Sequence, residues 1–296
     1  MSANAVTTAN KPRSERSPTA EILRRFRRHR LAMVGVIILG VIVFASVFAP
    51  WLTPYEPNRI NLRDRSQPPS MEHWLGTDRT GRDILTRLLY AGRISLAVGV
   101  AAVAISLVVG TLLGAVAGHF GGLVDSAIMR AVDVVMTFPS IIVLLSLAAI
   151  VGPGIVQTIL IVGLLGSPIP CRLVRSRMLS LREQEFVTAA RGLGASDSRI
   201  ILKHLLPNSI DVLIVYATLG IASAILLEAG LSFLGLGVQP PTASWGNMIN
   251  VARNISYLEG YPWEWMPAGV AIVLTVLAIN FIGDGLRDAF DPRSKH

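Results

Sequence analysis

The sequence predicts an all-α, polytopic membrane bundle with six transmembrane helices. Of the 296 residues, 52% are hydrophobic and 16% charged, whereas soluble domains carry about a quarter charged residues. Mean hydropathy is +0.55. The apolar residues fall into long uncharged runs, and Lys and Arg concentrate between them.

The elements follow in order. Residues 1–30 form a basic cytoplasmic segment, with Lys11, Arg13, Arg16, Arg24, Arg25, Arg27, Arg28 and Arg30 set against Glu15 and Glu21. Such a cluster fits nucleic acid or a membrane flank. Its place directly before an apolar run selects the positive-inside flank, so no nucleic-acid partner is expected. Leu31–Thr53 is uncharged, outruns a signal-peptide core and ends without an A-x-A site, so it reads as a retained anchor helix. Ile94–Ala117 is long enough to cross the roughly 30 Å hydrocarbon core. Gly110, Gly114 and Gly118 make two G-x-x-x-G pairs along it, a pattern for close helix contact.

Four further spans are read at Val134–Val151, Ile155–Cys171, Val212–Leu227 and Trp265–Gly283. The second and third of these lie near the lower length limit, with Arg172, Asp211 and Glu228 placed near the interfaces. Pro139, Pro153, Pro168 and Pro170 predict breaks or kinks. Together the six spans make a permease-like domain over residues 31–286, with outer loops at about 54–93 and 231–265. Inner segments lie at about 118–127 and 172–208, and a tail occupies 287–296. Six crossings return both termini to the cytoplasm. The 172–208 loop fits that side, with Arg172, Arg175, Arg177, Arg182, Arg191, Arg199 and Lys203. Residues 54–93 fit the outside poorly, since they hold Arg59, Arg63, Arg65, Arg79, Arg82, Arg87 and Arg93.

One polar stretch within the inner loop, 185–208, reads as a helix–turn–helix. Phe186, Ala189, Ala190 and Leu193 share a helical face, Gly194 suits a left-handed stop, and Ser196 or Asp197 can cap the next helix. Ile200, Ile201, His204 and Leu205 repeat at helical spacing until Pro207 ends it. A solvated loop gains nothing from such an apolar face, so the element either packs on its own bundle or docks into a partner.

The pattern Thr188-Ala189-Ala190, Gly194, His204-Leu205-Leu206-Pro207 resembles the EAA signature of ABC importer permeases. Thr188 stands where that signature has Glu, and His204 where it usually has Ile. "HWLGTDRTGRD" (His73–Asp83), "AGRISLAVG" (Ala91–Gly99), "EAGLSFLGLGVQPP" (Glu228–Pro241), "SWG" (Ser244–Gly246) and "GDGLRDAFDPR" (Gly283–Arg293) are similar to the C-type permease subunit of dipeptide, oligopeptide and nickel importers. The resemblance implies a bacterial inner-membrane subunit working with a second homologous permease, two ATPase subunits and an extracytoplasmic substrate-binding protein. It also implies that Phe186, Thr188, Ala189, Ala190, Arg191, Gly194, Arg199, Ile200, His204, Leu206 and Pro207 form the ATPase-coupling element. ATP and Mg are then used by the partner chains.

The chain has no G-x-x-x-x-G-K-[ST] run, and Lys11, Lys203 and Lys295 each lack a preceding Gly, so no P-loop is possible. No catalytic motif appears, and the five His have no ligand spacing, so neither a catalytic site nor a metal site is expected. The lone Cys171 excludes an intrachain disulfide. The rival to an ATP-driven importer is an ion-driven secondary transporter, which usually carries ionisable groups deep in its spans. Asp133, Asp211 and Glu228 fall near the predicted ends, against that rival. Among ATP-driven importers, short peptides lead, with nickel or another small solute as the alternative. Ser146, Thr158, Thr275 and Asn280 are candidate pathway residues, with helix packing as their competing role.

Overall fold

The computed structural model describes residues 18–290, and their regular structure is helical apart from an isolated antiparallel bridge between Thr77 and Asp83. Lys11, Arg13 and Arg16 of the basic segment and tail residues 291–296 lie outside the described residues. Helix α1 (Pro18–Arg28) precedes the first apolar helix, α2 (Arg30–Val47). The break at His29 is capped, because its Nδ1 accepts the Ala32 N–H at 3.1 Å. A short α3 (Ala49–Leu52) starts with Pro50 in its first turn.

Helix α4 (Ile84–Phe120) is the axis of the bundle. At about 1.5 Å per residue it is roughly 55 Å long and overruns the hydrocarbon core. It begins ten residues before the predicted span, so the first outer loop ends at Asp83 instead of 93. Gly121, at φ +66°, joins it directly to α5 (Gly122–Thr137), so the expected inner loop at 118–127 is reduced to one turn. The predicted third span begins inside α5 and breaks at Pro139, where α5 and α6 (Ser140–Val151) meet at 90°.

Helices α7 (Ile155–Gly166) and α8 (Pro168–Leu181) form one passage broken at Ser167. Helix thus extends well past Cys171, and the polar loop starts near Arg182. That loop holds α9 (Glu185–Gly192) and α10 (Asp197–Ile200), and beyond it come α11 (Ile210–Phe233), a short α12 (Trp245–Ile249), α13 (Ile255–Gly260) and the terminal α14 (Pro262–Phe290). Five helical passages are long and apolar enough to cross a bilayer, and the bent α5–α6 pair makes a sixth if counted as one span.

Two apolar clusters and a glycine stripe hold the membrane part of the bundle. Ile84, Ile225, Trp245 and Ile272 join α4, α11, α12 and α14. Val103, Leu144, Val162 and Leu231 join α4, α6, α7 and α11. The glycine stripe of α4 seats α8: a Cβ on Gly110, Gly114 or Gly118 would come within 2.5 Å of Pro170, the Cys171 carbonyl or Met178.

Several outer arginines that seemed misplaced are structural. Arg93 donates through Nε to the Ser46 carbonyl at 2.7 Å and also reaches the Val47 carbonyl, satisfying the open end of α2. Arg87 donates to the Pro57 carbonyl at 3.1 Å, and Arg82 to Asp78 at 2.7 Å.

Candidate functional site

The polar stretch folds into α9 (Glu185–Gly192), a turn at 193–196 and α10 (Asp197–Ile200). The predicted left-handed stop is present: Gly194 has φ +78°, its N–H donates to the Arg191 carbonyl at 2.9 Å, and Ala195 N–H to Ala190 at 3.0 Å. Pro207 does not end the second helix. Helical winding continues through a π turn (Ile201–Leu205) and a 3-10 turn (Pro207–Ser209) into α11. The wider turn lets Leu206 N–H bond the Ile201 carbonyl at 2.9 Å just before the residue that lacks a donor.

The apolar residues divide between two faces. Val187, Ile200 and Leu205 are buried against Ala115 of α4 and Val174 and Met178 of α8. Ile200, expected among the docking residues, therefore anchors the element to its own bundle. The opposite side leaves Phe186 41%, Leu202 64% and Leu193 89% exposed. Thr188, Ala189, Arg191, Gly194, Arg199 and Pro207 are exposed too, and Ala190, His204 and Leu206 are half-buried. The rings of Phe186 and His204 lie 6.3 Å apart between centroids, bracing α9 against the π turn. Arg191, Arg199 and Lys203 make no ion pair among the described residues.

Neither Ser196 nor Asp197 caps α10 through its side chain. Asp197 instead meets Nε2 of the buried His119, at the end of α4, at 2.9 Å. Three arginines assigned by sequence to a loop lie on α8 and tie it to its neighbours. Arg175 grips Asp125 and Arg172 grips Asp133, both on α5, while Arg177 grips Asp211 of α11 at 2.7 Å. As the Arg number rises on α8 the Asp number falls on α5, the pairing of two antiparallel helices. Asp125 and Val187 were missed in the sequence, and the pairing roles of Asp133, Asp197, Asp211 and His119 were not read there. The helical spacing of Val174, Met178 and Leu181 was the signal that α8 continues.

The candidate pathway residues do not converge. Thr158 and Thr275 are buried, and each hydroxyl donates to the carbonyl four residues back, Gly154 and Ala271, at 2.7 Å, which is a packing role. Ser146 is exposed and Asn280 half-buried. A cavity of about 350 Å³ between α4, α6, α7 and α11 contains none of the four. Its polar groups include Ser223 and a chain in which Tyr216 donates to the Gly166 carbonyl at 3.0 Å and lies 2.9 Å from Ser106 Oγ.

Glu228, read from sequence as lying just past the end of a span, sits inside α11, which runs on to Phe233. It is fully buried, with Oε2 accepting from Ser95 at 3.0 Å and Oε1 from Ser232 at 2.7 Å. Those hydroxyls accept in turn from Trp245 N–H and Val238 N–H, so the carboxyl stitches α4 and α11 to the 234–249 segment.

A bundle with five or six helical passages long and apolar enough to cross a bilayer is a polytopic membrane protein. The chain belongs to the family described as binding-protein-dependent transport system inner membrane component, whose model matches residues 110–296. Residues 17–69 match the N-terminal TM domain of oligopeptide transport permease C. A Brucella suis protein named as a peptide permease is 52% identical, over 94% of this chain and 92% of its own length. The dipeptide transport system permease protein DppC of Alkalihalophilus pseudofirmus is 44% identical over 94% of this chain and 91% of its own. The glutathione transport system permease protein GsiD of Escherichia coli is 43% identical over 96% and 94%. In fold, the chain is similar to an inward-facing structure of the MetNI methionine ABC transporter, with TM-score 0.52 and 21% identity over 69% of this chain and 96% of that one. It is a multi-pass inner-membrane permease subunit of an ABC importer.

Proposed function

We propose that this permease carries short peptides, pairs with a second homologous permease, and couples to two ATPase subunits through the 185–208 element. The chain binds no nucleotide. ATP and Mg act in the partner chains, and a substrate-binding protein delivers the cargo from outside.

One observation carries the coupling role: α9 is sealed to the bundle on its Val187 side while Phe186 and Leu193 stand free on the other. A cleft on a partner that takes these side chains moves α8 and α4 with them, because Ile200, Val174 and Ala115 are packed together. Arg191, Arg199 and Lys203 at the rim suit an acidic or polar edge. The names of the peptide, dipeptide and glutathione permeases support a peptide cargo.

Uptake of labelled di-, tri- and longer peptides and of nickel, in a strain lacking this chain, tests the cargo. Loss of peptide uptake alone is the expected result; loss of nickel uptake alone selects the alternative. On this reading both termini lie in the cytoplasm. Labelling of Met71→Cys only from outside and of Ser196→Cys only from inside is expected, and the reverse pattern inverts the topology. Met71 is 96% exposed and the native Cys171 is buried, so the labels report the new sites.

A further inference from the structure

A second cavity, of about 220 Å³, lies at the end of α4 opposite the helix pair, among the 78–82 turn, α12, the 235–240 loop and the first turn of α14. Its lining is strongly charged, unlike the cavity between the membrane helices. Arg79, Arg82 and Arg87 face it, as do Asp78 and Glu264.

The donors and acceptors do not close on themselves. Asp78 holds Arg82 through Nε at 2.7 Å, and no hydrogen bond among the described residues uses the terminal nitrogens of that guanidinium. Arg79 is exposed and makes no ion pair among the described residues. Glu264 is 3% exposed, and its Oε1 accepts the Ser66 hydroxyl at 2.8 Å. The Arg79 main-chain N–H and its guanidinium charge both act on this carboxyl, yet Oε2 is buried without a partner in strict hydrogen-bond geometry. Buried acceptors of this kind are normally satisfied. The cavity thus offers one unsatisfied carboxylate oxygen and an excess of guanidinium donors, an arrangement complementary to a molecule carrying both an ammonium and a carboxylate.

We propose that this cavity receives the two charged ends of a short peptide, the ammonium at Glu264 Oε2 and the carboxylate at Arg79 and Arg82. This rests on the peptide reading above and adds where this chain first holds its cargo. The side chains between the ends find no dedicated charge here, so the site reads the zwitterion and the spacing of its ends. Arginine donors in a partly buried site grip a carboxylate by paired bonds.

The test is binding of Ala-Ala to the assembled transporter in nanodiscs, purified without its binding protein, by calorimetry. Glu264→Gln keeps the acceptor for Ser66 and should weaken Ala-Ala by about tenfold, the loss of one charge-assisted hydrogen bond. Arg79→Ala, at an exposed position that folding does not need, should weaken it comparably. N-acetyl-Ala-Ala should bind the wild type no better than it binds the Glu264 variant, and Ala-Ala-amide no better than it binds the Arg79 variant. Free alanine separates the two sources of the same chemistry: tighter binding of alanine than of Ala-Ala assigns the site to amino acids and overturns the peptide claim. Undetectable Ala-Ala binding, or wild-type affinity in both variants, overturns the site. Wild-type cells that still import labelled peptides in that case leave the peptide reading standing, whereas absence of both binding and uptake removes both.

Discussion

The two ends of α4 are built on opposite plans. At the Ile84 end, residues 61–83 form a knot of short-range polar bonds. Asp78 accepts from Thr80 and Arg82, Asp83 caps α4 through Thr86 N–H at 2.7 Å, and His73 meets Asp83 at 2.9 Å. At the His119 end, the 185–208 element is held by Val187, Ile200, Leu205 and one His–Asp pair, with its other face bare. The first arrangement fixes a shape through many small directional bonds. The second leaves a rigid piece attached along one apolar seam, as the proposed coupling to a partner requires.

Two glycines put the contrast to its severest test. Gly81 and Gly194 have nearly the same backbone, φ +73° and +78°, but a Cβ on Gly81 would sit 1.7 Å from the Asn61 carbonyl oxygen, while Gly194 faces open space. Gly81→Ala should abolish recovery of monodisperse protein after detergent extraction. Gly194→Ala should lower stability by about 1 kcal/mol, the cost of the left-handed conformation alone. Similar losses in both would erase the distinction between the ends.

The seam supplies the next largest effect. Ile200→Ala removes buried methyl groups and should cost about 2–5 kcal/mol in thermal unfolding. Leu193→Ala, at a position 89% exposed, should stay within about 0.5 kcal/mol yet reduce recovery of the ATPase in a pull-down. Unchanged recovery would mean that Leu193 is not a docking side chain.

Acid should act on the knot. Burial works to raise the Asp78 carboxyl, but the Thr80 hydrogen bond and the Arg82 charge outweigh it and hold the carboxyl below the ordinary range. A lowered folded pKa means that its contribution is present above the unfolded value of about 3.9 and is lost as pH falls through the lower folded value. The stability gap between wild type and Asp78→Asn should therefore narrow only as pH drops below about 4. A gap unchanged by acid would show that the charge of Asp78 contributes nothing. The smallest effect belongs to Arg199→Glu on the exposed rim, a mild loss of coupling that depends on salt, since such charges are screened over about 8 Å.

The apolar runs were legible because bilayer thickness constrains them directly, so each predicted span coincides with observed helix, though Leu31–Thr53 overruns α2 and Val134–Val151 is bent at Pro139. Their ends were not, because charge alone does not stop a helix. Arg172, Arg175 and Arg177 read as loop residues until Asp133, Asp125 and Asp211 were seen to neutralise them from neighbouring helices. Glu228 was read as following a span end for the same reason, whereas α11 continues past it and Ser95 and Ser232, invisible in a hydropathy pattern, satisfy its carboxyl. In the 185–208 element, Gly194 was readable from local backbone chemistry. The inward turn of Ile200 was not, since it depends on where α8 lies.

The most direct test of the lever is Ala190→Trp, placed on the half-buried shoulder of α9, with ATPase pull-down, ATP hydrolysis and uptake measured on the same preparation. Added volume at a preorganised contact costs about 1–3 kcal/mol. The account predicts a folded, membrane-inserted bundle that either loses the ATPase or hydrolyses ATP without matching uptake. Normal association, hydrolysis and uptake together would contradict it.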